Sequence, residues 1–261
     1  MSFPLAYSDT GTGHPVVLIH GFPLCRHMWQ PQAACLSRAG YRVICPDLPG
    51  FGESPPVCGP ASMTAYADAV VALLDHLEIE RAAIGGMSMG GYVLLNLVER
   101  YPQRLQAALY LVTRAAADDA AGKARRGDLA GAVRGGDREV VPLTFEKLLF
   151  APDIPAQHPE LVGKVRAWME QASPEGVAGG LLAMRDRKDY VASLPNLQVP
   201  ALVVGAAADL AVPPAHAEVL AAGLPDAELH LIAAAGHMVN LEQPEAFNRI
   251  LLDFLGRRVR G

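Results

Sequence analysis

The sequence predicts an α/β protein: a mostly parallel central sheet with helices on both faces, and a helical lid inserted in the middle of the chain. Three observations carry this expectation. Short, continuously apolar, β-branched runs such as Val16–Ile19 and Ala201–Gly205 read as strands buried on both faces, as parallel sheets require. These runs alternate with amphipathic stretches of helical length, the pattern of helices packed on a parallel sheet. One run, Ala82 to Gly86, passes through Gly86-Met87-Ser88-Met89-Gly90 straight into an apolar-periodic stretch, which spells strand, sharp turn and helix with a serine at the apex.

In chain order, Val16 to His20 is the first long strand, and it stops at His20-Gly21-Phe22-Pro23. Met28 to Ala39 follows as a helix closed by Gly40. Tyr41 to Cys45 is the next strand, running into the Pro- and Gly-rich loop Asp47-Leu48-Pro49-Gly50-Phe51-Gly52-Glu53-Ser54. Ser62 or Thr64 caps a helix reaching Leu77. The Ala82–Gly86 strand and the Tyr92–Tyr101 helix flank the serine turn, and Leu105 to Val112 is another strand. The texture then changes to Ala, Gly, Arg and Asp with only short amphipathic pieces, which marks residues 114–190 as a helical insertion between core segments 1–113 and 191–261. From Pro200 the earlier rhythm returns: strand Ala201–Gly205, helix Pro213–Ala222, strand Leu229–Ile232 and helix Pro244–Leu255. Ligands of such sheets bind at the carboxyl ends of the strands. Ser88, the His20-Gly21-Phe22 stretch, Asp209 and His237 all follow strand ends, so one rim can carry them.

Bulk properties exclude several function classes. The 261 residues suit one domain with an insertion, and a chain of that size buries about three-quarters of its unfolded surface. Hydrophobic content of 51% with 19% charged residues reads as globular. A formal charge of −5 provides no footprint for nucleic acid or an acidic membrane surface, and no run is long and apolar enough to span a bilayer. Cys25, Cys35, Cys45 and Cys58 form no metal-binding spacing, and Met1 to Thr10 lacks an export signal. The expectation is a cytoplasmic protein with free thiols, no metal and no cofactor; oligomeric state is not encoded in any pattern.

The chemistry starts from Ser88. A serine hydroxyl is a poor nucleophile at neutral pH and needs a base within hydrogen-bond reach. Of the eight histidines, His237 alone sits in a loop between the last strand and the last helix, in Ala235-Gly236-His237-Met238. A histidine base needs a carboxylate to fix its tautomer. Asp209 is placed for that after the strand Ala201–Gly205, with Asp118 and Asp119 as rivals in the insertion. The order Ser88, Asp209, His237 is that of the nucleophile-elbow enzymes. Two backbone N–H groups, of Met89 and Phe22, are placed to receive a developing oxyanion, each worth about 2.7–4 kcal/mol to acyl transfer. Pro23 has no N–H and cannot serve. The same glycine-rich turn, taken alone, would fit a strand-to-helix connection that only permits close packing.

These residues, His20-Gly21-Phe22-Pro23-Leu24, Asp47 to Ser54, Gly86 to Gly91, Asp209, and Gly236-His237 with Leu241-Glu242-Gln243-Pro244-Glu245, resemble the α/β-hydrolase superfamily. Within it they look most like the small lidded group of carboxylesterases, 3-oxoadipate enol-lactonases and cofactor-free haloperoxidases or perhydrolases. The resemblance covers roughly residues 1–112 and 195–261, and Thr113-Arg114-Ala115 looks like the start of that group's lid. It implies a serine hydrolase acting on a small-molecule ester or lactone through an acyl-enzyme. Lactone or C–C bond hydrolysis and a perhydrolase side activity are alternatives, and a non-catalytic small-molecule receptor on the same fold is the reading from another class. Ser88 stands where dehalogenases and epoxide hydrolases of this fold carry an aspartate. Arg114, Trp168 and Met238 are candidate substrate contacts. Leu148, Leu149, Phe150, Met169 and Met184 are further lid residues that pack either toward the pocket or between helices. Arg114 has a rival fate as an ion-pair partner of Asp118 or Asp119, and Cys25 is either a reactive thiol beside the oxyanion loop or an ordinary buried residue.

Overall fold

The computed structural model describes residues 5–57 and 59–259; Cys58 and Met1 to Pro4 lie outside the described residues. Seven strands form one sheet: β1 (Tyr7–Thr10), β2 (His14–Ile19), β3 (Tyr41–Pro46), β4 (Ala82–Met87), β5 (Leu105–Leu111), β6 (Ala201–Ala206) and β7 (Ala227–Ile232). Their spatial order is β1-β3-β2-β4-β5-β6-β7, with β1 antiparallel to β3 and every other pairing parallel. β4 therefore lies mid-sheet, and the turn that follows it opens at the centre of the carboxyl rim.

Side-chain alternation along the strands builds two cores. Val17 and Ile19 of β2 join the core on one face, where α2 (Met63–His76) and α3 (Met89–Arg100) pack through Tyr66, Val70 and Leu94. Val16 and Leu18 join the other, where α1 (Gln30–Arg38) and α11 (Pro244–Arg258) pack through Leu36, Phe247, Leu251 and Phe254. Both faces are apolar, which is why the strand text shows continuous hydrophobic runs. Ser62 is the cap of α2, its hydroxyl accepting from the Ala65 N–H at 3.0 Å.

Between β5 and β6 the segment 114–190 carries the helices α4 (Ala120–Arg134), α5 (Val140–Leu149), α6 (Ile154–Gln157), α7 (Pro159–Gln171) and α8 (Pro174–Arg185). After β6 come α9 (Ala215–Gly223) and, between β7 and α11, the short α10 (Val239–Glu242). No described helix is long and apolar enough to cross a membrane, and Cys25, Cys35 and Cys45 are free thiols.

Candidate active site

The site is assembled from the carboxyl rim upward. Ser88 has φ 54° and ψ −113°, a left-handed backbone that non-glycine residues adopt only when their surroundings hold them there. What holds it is visible on both sides. The Ser88 N–H donates to the Leu111 carbonyl at 3.0 Å, and the Ser88 carbonyl accepts from the Gly91 N–H at 2.9 Å and the Thr113 hydroxyl at 2.8 Å. A Cβ at Gly86 would collide with the Gly90 carbonyl, and one at Gly90 with the Ile19 carbonyl, so the turn closes only with hydrogen at those positions. Ser88 is thereby locked at the amino end of α3, where the helix dipole favours developing negative charge.

Asp209 follows β6 and is buried. Its Oδ1 accepts from the N–H groups of Ala211 and Val212, both at 2.8 Å. Its Oδ2 receives the Nδ1–H of His237 at 2.7 Å. A carboxylate only accepts, so the proton on this bond belongs to Nδ1, and in the neutral imidazole Nε2 is the nitrogen that carries the lone pair. His237 and Ser88 line the same cavity, of about 390 Å³.

The His20-Gly21-Phe22 loop after β2 is held by a separate network. The Leu48 N–H donates to His20 Nε2 at 2.9 Å, which leaves Nδ1–H to donate to the Gly21 carbonyl at 2.9 Å. Burial keeps His20 below its ordinary pKa against the pull of Asp47, so it is a neutral structural strut. Asp47 in turn accepts from the N–H groups of Arg26 at 2.6 Å and Glu53 at 3.0 Å and pairs with the Arg26 guanidinium. A Cβ built on Gly21 would lie 3.5 Å from that of Ser88. The loop thus runs alongside the nucleophile candidate. Among the described residues the N–H groups of Phe22 and Met89 have no protein acceptor.

The histidine loop is fastened to the insertion. Glu242 Oε2 accepts from the Gly236 N–H at 2.8 Å and the Ala151 N–H at 3.1 Å, and the Met238 N–H donates to the Leu149 carbonyl at 2.9 Å. A Cβ on Gly236 would strike the backbone of Phe150 and Ala151. Burial pushes the Glu242 carboxyl up, partly offset by the backbone donors from Gly236, Ala151 and Met238.

Several expectations are corrected by this geometry. Met238 is fully buried and Trp168 nearly so; both belong to a buried apolar cluster and do not line the cavity. Phe150 and Met169 share that fate, whereas Leu148, Leu149 and Met184 do line it. The reason for Trp168 is that the buried face of α7 carries it inward together with Val165 and Met169. Arg114 lines the cavity but is already paired with Asp118. The rival acids are occupied elsewhere: Asp119 caps α4 by accepting from the Gly122 N–H at 2.7 Å, and Asp118 is gripped by Arg114, Arg126 and, at 3.0 Å, Arg187. Burial alone would raise the Asp118 carboxyl, yet the hydrogen bonds of Arg187 and Arg126 hold it well below the usual range. Cys25 is buried and its thiol is pushed up to about 11 by desolvation, the opposite of an activated thiolate. Sequence reasoning did not single out Glu242 as a fastener, nor Arg125 and Arg126 as cavity residues. The only signal for the latter was an adjacent pair of arginines in text otherwise poor in motifs.

A strained serine at a strand-to-helix elbow, a distant aspartate–histidine pair and a doubly covered parallel sheet define the nucleophile-elbow class of α/β proteins. The alpha/beta hydrolase fold model matches residues 14–244, and the chain belongs to that family. It is similar to a thermophilic esterase from Thermogutta terrifontis, solved with malate bound, at 38% identity and a TM-score of 0.94, over 97% of this chain and 93% of that one. It is 32% identical to 3-oxoadipate enol-lactonase 2 of Acinetobacter baylyi, over 85% of this chain and 80% of the relative. It is also 35% identical, over 93% of its own length, to the dihydrolipoyllysine-residue acetyltransferase component of the acetoin cleaving system of Pseudomonas putida, of which it spans only 64%.

Proposed function

We propose that the protein is a serine hydrolase of carboxylic esters. Ser88 Oγ attacks the substrate carbonyl while His237 Nε2 takes its proton, and the tetrahedral oxyanion is received by the N–H groups of Met89 and Phe22. His237 then returns the proton to the departing alcohol, which leaves an ester between Ser88 and the acyl group. Water attacks this acyl-enzyme with His237 again as base, the acid departs and Ser88 Oγ recovers its proton. Asp209 keeps Nδ1 protonated and stabilises the imidazolium in both halves. Arg114 belongs to the substrate-facing wall through its place in the cavity, at the head of the helical insertion at 114–190, which acts as the lid.

The observation that carries this reading is the 2.7 Å bond from His237 Nδ1 to Asp209, made at the edge of a cavity that Ser88 also lines. It sets the one tautomer in which Nε2 can act as base. Similarity to the Acinetobacter enol-lactonase favours a second reading, an intramolecular ester as substrate, which the same groups would open without loss of the alcohol. A series of p-nitrophenyl esters of graded chain length, assayed beside enol-lactones, tests both. Ser88-dependent turnover of the esters supports the first, and turnover of lactones alone replaces it with the second.

A further inference from the structure

An open sheet has two edges, and this one treats them differently. β1 is short and antiparallel, and its Asp9 pairs with Arg42 of β3. β7 pairs with β6 on one side, and no described strand lies on the other. The carbonyls of Asp226 and Ile232 accept from the N–H groups of Ala201 and Ala207, so the even-numbered residues of β7 turn their peptide groups toward β6. By the pleat, Ala227, Leu229 and Leu231 turn their N–H and C=O groups outward. Natural edges are commonly guarded by lysine, proline or a bulge, and β7 carries none of these from Ala227 to Ile232. Its apolar side chains are open as well: Leu229 is 39% exposed and Leu231 45%. Both lie on the α9 face, since a Cβ built on Gly205 meets Leu231 and Ala217 of α9 together. Val219 of α9, on the same side of the sheet, is 44% exposed.

We propose that β7 pairs with β7 of a second copy of this chain, antiparallel about a two-fold axis at Leu229, so that one sheet runs through a homodimer. The register follows from the strand itself. Only outward-facing residues can form hydrogen-bonded pairs, so odd-numbered residues must oppose odd-numbered ones. An axis at Leu229 sets Leu229 against its own copy and Ala227 against Leu231 in both directions. Every outward N–H and C=O of the strand then has a partner. An axis at Glu228 would oppose two carboxylates and leave Leu231 facing Pro225, which has no N–H. An axis at His230 would leave Ala227 facing Ala233, beyond the strand. At Leu229, by contrast, Glu228 stands opposite the partner's His230, an acceptor facing a donor. The neighbouring charges are already balanced, with Asp226 and Glu228 paired to Arg257 and Arg258. On the α9 face the exposed leucines of both copies meet near the axis and leave water. A contact of this isologous kind closes as a dimer. Antiparallel pairing turns the two carboxyl rims to opposite ends, so neither Ser88 cavity is covered.

Sedimentation from about 1 to about 500 µM, with residue-resolved amide exchange at both ends of that range, tests the pairing. One strand pair is a small interface, for which a dissociation constant on the order of 1–100 µM is expected. Wild type should pass from 27.7 kDa to twice that mass. The amides of Ala227, Leu229 and Leu231 should exchange freely in the monomer and about tenfold or more slowly in the dimer. Those of Glu228 and His230, turned to β6, should stay protected in both. Leu229→Lys, which sets two ammonium groups across the axis, should raise the dissociation constant at least about tenfold. Leu229→Pro removes an outward N–H, leaves the β6 ladder whole and should do the same. A cooperative unfolding transition at the dilute end shows that each variant is folded. Leu143→Lys, at an exposed leucine on α5, should leave the dimer unchanged. A wild type that stays monomeric throughout overturns the proposal. So does a dimer that both Leu229 variants leave intact, or one in which the outward amides exchange as freely as in the monomer. Protection of those amides only on adding a different protein would give the edge another occupant and overturn it too.

Discussion

The α/β core and the helical insertion meet at one cavity and are built on opposite principles. In the core, each proposed reacting group is fixed by backbone. Ser88 is strained into place by its own elbow, Asp209 is held by two N–H groups, and the proposed oxyanion loop is strutted by His20 between two main-chain atoms. In the insertion, long side chains do the fixing: one buried carboxylate, Asp118, gathers guanidiniums from before α4, from α4 and from beyond α8. Backbone-held groups keep their geometry to within the small tolerance that bond-making needs. A knot of arginines around one aspartate tolerates exchange of its members and so suits a wall that decides which substrate fits. On the proposed function, the two regions would divide reaction from recognition.

The sharpest way to break this division is to attack each region at its key residue. Ser88→Ala should lower kcat on a small ester by on the order of 10^6-fold with little change in unfolding temperature. Asp209→Asn should keep the fold yet cost about 10^4-fold, because the imidazole is then held in the wrong tautomer. Asp118→Asn should cost far less in kcat on a neutral ester, and a loss as large as that of Asp209→Asn would make the insertion part of the reaction machinery.

Asp118 should matter in a different measurement. Removing it by Asp118→Ala strands Arg187, whose side chain is only 3% exposed, as a charge with no acidic partner. Denaturant unfolding should register about 3–5 kcal/mol of destabilisation, and a change within 0.5 kcal/mol would mean the arginines find other partners. Glu242 joins the two regions, so its removal should touch both observables. Glu242→Ala leaves the N–H groups of Gly236 and Ala151 without their acceptor, and should cost about 1–3 kcal/mol of stability while lowering kcat about tenfold; Glu242→Gln, which still accepts, should restore most of both. An effect on stability alone would show that the His237 loop does not need the insertion for its aim.

The smallest predicted effect is a pH dependence. The Asp118 carboxyl has its folded pKa held below the unfolded value, so its contribution is fully present above the usual carboxylate pKa, about 3.9, and fades as pH falls toward the folded value. Wild type should therefore lose more unfolding temperature between pH 5 and pH 3 than Asp118→Asn does. Equal losses would mean that protonation elsewhere dominates.

The same division explains what was legible in the sequence. Strands buried on both faces announce themselves as continuous apolar text, and β2 to β6 stand where that text stands. β1 does not, because Tyr-Ser-Asp-Thr at a half-exposed antiparallel edge has neither apolar run nor alternation. Ser88, Asp209 and His237 were readable because a glycine-spaced turn and loops after strands are local signals; the structure brings the last two into contact and sets Ser88 on the cavity that His237 also lines. The insertion offered no such signal. α7 is amphipathic, but periodicity cannot say whether its apolar face meets the core or the cavity, and Trp168 went to the core. Arg125 and Arg126 are adjacent in sequence yet only Arg126 pairs with Asp118, which follows from where Asp118 lies in space.

The most direct measurement is rapid acid quench of the enzyme during turnover of a p-nitrophenyl ester, followed by peptide mass analysis. The acyl group should be found on the peptide carrying Ser88 and nowhere else, and Ser88→Ala should show neither adduct nor turnover. Continued hydrolysis by Ser88→Ala, or an acyl group on another residue, would contradict the assignment of the elbow serine as nucleophile.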